Sequence, residues 1–136
     1  MTRIETTLLA SAGALLLTAA QPLPTLDQTQ PGLWEVSGAP GAKAPVRLCV
    51  ADVPSLALFE HRGKACKSKV LKRAGTLTAL EYSCGTAGFG HSDVEALTPR
   101  SLKISTQGIS DGLPFNYVLQ ARRTGDCAKS TAPAGH

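Results

Sequence analysis

The stretch Cys66–Cys84, CKSKVLKRAGTLTALEYSC, decides the fold. It reads as two strands folded about Ala74-Gly75, with a cysteine at each end. Strand side chains alternate faces, so Cys66, Ser68, Val70 and Lys72 share one face. Thr76, Thr78, Leu80, Tyr82 and Cys84 share one face of the return strand. A loop of Ala74, Gly75 and Thr76 sets Ser68 against Tyr82, Val70 against Leu80 and Cys66 against Cys84. A non-hydrogen-bonded antiparallel pair has Cα atoms about 4.5 Å apart, within reach of a disulfide. A two-residue loop shifts the register by one and sends the cysteines to opposite faces. A loop of Arg73, Ala74 and Gly75 pairs Cys66 with Tyr82 and leaves the bridge a diagonal reach.

The chain has four cysteines, Cys49, Cys66, Cys84 and Cys127. An even count in a small exported domain implies disulfides. The hairpin favours Cys66–Cys84, which leaves Cys49–Cys127; the alternative is Cys49–Cys66 with Cys84–Cys127. A zinc site of all four thiolates lacks the usual CxxC pairs.

The export reading comes from the N-terminal segment. Met1–Ala20 reads as a secretory signal peptide, with Arg3 ahead of an uncharged Leu/Ala-rich run and Thr18-Ala19-Ala20 as small residues before a cleavage point. The uncharged run Thr6–Ala20 is shorter than the ~20 residues that span a bilayer, so no stable membrane anchor is expected. The whole chain carries 14 basic and 10 acidic residues, a net charge of +4. That balance suits either an anionic envelope partner or plain solubility. Six aromatics, with no basic-aromatic alternation, give no stacking platform for nucleic acid.

Outward from the hairpin, Gln21–Gln30 reads as an exposed leader, residues 31–127 as a single β-rich domain and 128–136 as a disordered tail. Leu33–Ser37 and Val46–Val50 read as strands joined by the loop Gly38–Pro45. Asp52 is placed to cap one short helix over Val53–Arg62, with Pro54 in its first turn. Gly85–Gly90 reads as a glycine-rich turn that lacks GxxxxGK[ST]. Strands are expected over His91–Leu97, Ser101–Thr106 and Phe115–Arg123, with Asp111-Gly112 as a turn. The expected fold is mainly β: a curved, barrel-like antiparallel meander of six to seven strands with one short helix, stapled by disulfides.

Pro31-Gly32-Leu33-Trp34-Glu35, Leu48-Cys49-Val50, the spacing of Cys66 and Cys84, and Ala121-Arg122-Arg123-Thr124-Gly125-Asp126-Cys127 form an ordered set. Together they resemble the small secreted bacterial proteins catalogued as domain of unknown function 3617. The resemblance covers Pro31–Cys127 and is loose over Gly85–Pro114. It implies a Gram-negative periplasmic protein and carries over no catalytic residue.

Motifs for chemistry are sparse. His91-Ser92-Asp93 looks like a fragment of a hydrolase triad, but neighbours on a strand point to opposite faces. His91 and Asp93 share a face, and two ligands do not make a metal site. His61, near the helix end, has a bland reading as a cation on the helix dipole. No cofactor signature is present. The candidate binding residues are Lys67, Lys69, Trp34 and Arg123. Lys67 and Lys69 form a basic stripe that suits either an anionic contact or the guarding of an exposed edge. Trp34 suits a core anchor or a ligand platform. Arg123 is set to pair with Asp126 or to lie at the rim. The leading expectation is a non-enzymatic periplasmic module for a small amphipathic ligand or an envelope protein. The alternatives are a hydrolase using His91, Asp93 and a nearby hydroxyl, or an inhibitor of an envelope enzyme that presents the Gly38–Pro45 loop.

Overall fold

Alternation of apolar and polar residues makes one face of each strand a core face, and the computed structural model, which describes residues 23–128, shows how these faces join. The strands are β1 (Gly32–Ser37), β2 (Val46–Val50), β3 (Lys67–Ala74), β4 (Leu77–Ser83), β5 (Gly88–Thr98), β6 (Ser101–Ser110) and β7 (Leu113–Gly125). All neighbours pair antiparallel, in the order β2-β1-β7-β6-β5-β4-β3. The mainly β fold is as expected. The sheet keeps two edges, β2 and β3, so "barrel-like" describes its curl only loosely.

The core face carries Trp34, Val36, Val94, Leu102, Ile104 and Leu119, all at most 1% exposed. Burying each aliphatic side chain contributes roughly 1.5–3 kcal/mol. Trp34 keeps its indole N–H satisfied by the Gln30 carbonyl at 3.0 Å.

Covering this face is the one short helix expected over Val53–Arg62, a 3-10 segment that runs Val53–His61. Pro54 starts it, and Leu58 (φ −102°, ψ 26°) interrupts it. With three residues per turn, Val53, Leu56 and Phe59 fall in one line, and all three are buried against the sheet.

The central hairpin reaches its expected register by an unexpected route. The turn is the two residues Gly75-Thr76, between Ala74 and Leu77. That length alone would put the cysteines on opposite faces. A bulge at Leu71 inserts one unpaired residue, and pairing resumes as Val70–Leu80, Ser68–Tyr82 and Lys67–Ser83. Cys66 and Cys84 are bridged with Cα atoms 4.1 Å apart, and Cys49 is bridged to Cys127. The bulge also moves Lys72 off the Cys66 face. It pairs with Ala79, on the same side as Lys67 and Lys69.

Three other readings change. The leader is not simply exposed in its described part, because Leu26 in the turn Leu26–Gln28 is 3% exposed and joins the core. The glycine-rich stretch is a turn only over Gly85–Ala87; Gly88, Phe89 and Gly90 begin β5. Strand β6 runs on to Ser110, leaving Asp111-Gly112 as a tight two-residue hairpin turn with φ of 49° and 80°. The expected signal peptide Met1–Ala20, and the expected tail beyond Ala128, lie outside the described residues.

Candidate functional site

The covering segment ends in Phe59-Glu60-His61-Arg62, and these four side chains meet the start of β7. Phe115, Tyr117, Leu119 and Ala121 alternate onto the core face of β7. Leu119 and Ala121 are buried; Phe115 and Tyr117, which meet His61 and Glu60 at the end of the covering segment, are half-buried. A cleft of about 730 Å³ opens there. Phe59, Glu60 and Arg62 form one wall, Leu113, Phe115 and Tyr117 another, and Ala39-Pro40 and Asp111 close its ends.

The polar groups of the cleft are held in place. The Tyr117 hydroxyl donates to Glu60 Oε2 at 2.6 Å. Burial, and then the Glu60 carboxylate that accepts its proton, push the Tyr117 phenol well above its ordinary value. Arg62 lies over the Phe59 ring, 4.2 Å from its centre, and donates to the Phe59 carbonyl at 2.9 Å.

His61 forms the floor behind this cleft and is 3% exposed. Its ring meets Tyr82 and Phe115 edge-on, with centroids 5.4 and 5.8 Å away. Nε2 lies 3.1 Å from the Ala87 carbonyl, which can only accept, so Nε2 carries a proton. In the neutral ring Nδ1 then accepts from the Tyr82 hydroxyl at 3.2 Å. Burial pushes the Tyr82 phenol up as well. His61, read from the sequence as a cation at a helix end, is a wedge that locks the segment onto β4 and the Gly85–Ala87 turn.

The sequence-derived candidates fall elsewhere. Trp34 is 0% exposed and offers no surface to a ligand. Arg123 is engaged, donating from Nε to the Pro31 carbonyl at 2.7 Å and from Nη2 to Asp126. With Cys49–Cys127 it ties the two ends of the domain together. Lys67 and Lys69 are exposed on edge strand β3 and line a shallow depression of about 430 Å³ with Glu81 and Phe89. His91 Nε2 lies 3.1 Å from Asp93 Oδ1 on the open face of the sheet. Ser92 is on the other face, 0% exposed, and donates to the Ala57 carbonyl at 2.6 Å. The three therefore do not assemble. Among the described residues no three His, Cys, Asp or Glu side chains converge to hold a metal ion. No helix of the described residues is long and apolar enough to cross a membrane.

Sequence reasoning missed Glu60 and did not mark Tyr117. The available signal was a tyrosine at the less covered end of an apolar stripe, since a buried phenol seeks a partner. Nothing local pointed to Glu60, which lies 57 residues away.

No protein-family model matches this chain, and no solved structure does. In sequence it is similar to the membrane protein insertase YidC of Anaeromyxobacter dehalogenans strain 2CP-C. The identity is 30% over 129 residues, covering 86% of this chain and 24% of that protein. The YidC of Anaeromyxobacter sp. strain K is 29% identical with the same coverage. The chain thus spans about a quarter of the length of the curated relatives it matches.

Proposed function

We propose that this chain is an exported, non-enzymatic binding module of the periplasm that takes a small amphipathic ligand into the Phe59–Tyr117 cleft. The observation that carries this is the Glu60–Tyr117 pair. It is a fixed polar group inside walls made by Phe59, Phe115, Leu113 and Pro114. Ligand sites typically combine apolar walls with a few convergent polar groups. Two disulfides suit an oxidising compartment. The Arg3-led apolar run and the resemblance to domain of unknown function 3617 support export to the periplasm.

A second reading is contact with an envelope protein. The likeness to proteins named as membrane protein insertases favours it, although only a quarter of their length is matched.

Native mass spectrometry of protein recovered gently from the periplasm tests both. The first reading expects a mass beginning at Gln21 plus an adduct of a few hundred daltons that leaves on denaturation and is lost in Tyr117→Ala. An adduct the size of a protein supports the second reading. A bare chain that also takes up no added amphiphile overturns the first.

A further inference from the structure

We infer that the cleft selects amphiphiles with a cationic amine head, a class assignment that rests on the cleft being a ligand site. The charges lining it are Glu60, Asp111 and Arg62. Arg62 is the cation; its guanidinium lies over the Phe59 ring and Nη1 is bonded to the Phe59 carbonyl. The two carboxylates outnumber it. Glu60 uses Oε2 to accept from Tyr117. Among the described residues, Oε1 has no hydrogen-bond or ion-pair partner, and neither does the Asp111 carboxylate.

A carboxylate pinned by a tyrosine presents its remaining oxygen in a fixed direction. Tyr117 Oη also spends its only proton on Glu60, so it offers an incoming group a lone pair and no donor. The phenol stays protonated because burial, and then the same carboxylate, oppose its ionisation. Phe115 and Tyr117, both half-buried, add aromatic rings, whose negative quadrupoles attract cations. An ammonium head at Glu60 would thus meet acceptors and aromatic faces. A carboxylate or phosphate head would meet two negative charges against one guanidinium. The apolar tail has Leu113, which is 71% exposed, and Pro114 and Pro40 to lie against. Covering Leu113 gives the tail its apolar gain.

Calorimetry on the full disulfide-bonded chain separates head-group from tail with three probes of equal length: octylammonium, octyl glucoside and octanoate, at pH 7 and low salt. Octylammonium is expected to bind about tenfold or more tightly than octanoate, a tenfold step being 1.4 kcal/mol. Octyl glucoside should lie between them. Glu60→Gln retains an oxygen to accept from Tyr117 and removes the charge, so the preference for octylammonium over octyl glucoside should disappear. In the unaltered protein, raising salt to about 0.5 M should weaken octylammonium and spare octyl glucoside, a test independent of how the variant folds. Octanoate binding as tightly as octylammonium, or a salt-insensitive octylammonium affinity, overturns the amine class and leaves the cleft reading standing. Failure of all three probes to bind overturns the cleft reading, and this inference with it.

Discussion

Tyr82 lies across Gly90 so closely that a Cβ at position 90 would sit 2.6 Å from Tyr82 Cζ. The Tyr82 hydroxyl is held in turn by His61, and His61 Nε2 occupies the space a Cβ at Gly88 would need. On the neighbouring strand, Gly108 pairs with Gly90 and leaves room for Phe115. The glycines of β5 and β6 are therefore a saddle for His61, Tyr82 and Phe115, and that saddle supports the floor of the cleft.

Gly90→Ala should cost about 1–3 kcal/mol, because Tyr82 is buried and pinned and cannot swing aside. Gly125→Ala is the control: nothing lies within 4 Å of its Cβ position, and a change under about 0.5 kcal/mol is expected. Urea unfolding with the disulfides intact measures both. Equal stabilities would mean that Tyr82 yields freely.

The bulge at Leu71 stores one spare residue in β3. Deleting Leu71 should close the bulge and leave Cys66 facing Cys84, so peptide mass mapping finds the same two bridges. Inserting one threonine after Ser68 requires a second bulge or moves Cys66 to the other face. Two free thiols per chain are expected on alkylation. An insertion variant with all four cysteines bridged as before would show that β3 absorbs the extra residue in a second bulge.

Alkaline pH should destabilise the fold through Tyr117 and Tyr82. Both phenols are raised in the folded state, Tyr117 the more strongly. The folded chain therefore holds protons that the unfolded chain releases once pH passes the ordinary phenol value of about 10. This stability is fully present below that pH and is lost as pH rises above it. Tyr117→Phe cannot ionise and should flatten part of the decline between about pH 10 and 11.5. An identical pH profile in the variant would remove Tyr117 from this role.

Every residue of β3 is exposed, and Val70 and Leu71 are 41% and 47% exposed on a free edge. Lysines and bulges both discourage edge-to-edge pairing. Lys67→Thr with Lys69→Val should make sedimentation depend more steeply on protein concentration than in the parent chain. Unchanged sedimentation combined with lost retention on an anionic matrix would assign the two lysines to contact with anions instead.

The strands were legible because alternation is local: Leu102, Ile104 and Thr106 against Lys103 and Ser105 define a face whatever the partner strand. The disulfide frame was legible for a related reason, since a hairpin sets Cys66 near Cys84 from one short segment and leaves Cys49 to Cys127. Gly88–Gly90 was misread as a turn. Glycine signals missing side-chain volume, but only residues at 61, 82 and 115 show what fills it. The two-residue turn and the Leu71 bulge were also out of reach, since each shifts parity and together they cancel. The cleft depends on contacts across 57 residues, at the point where a 3-10 segment stops short of the end of a strand. Periodicity along a chain says which side of a strand is buried; where that burial ends, and which carboxylate meets a tyrosine there, is decided by packing between distant segments.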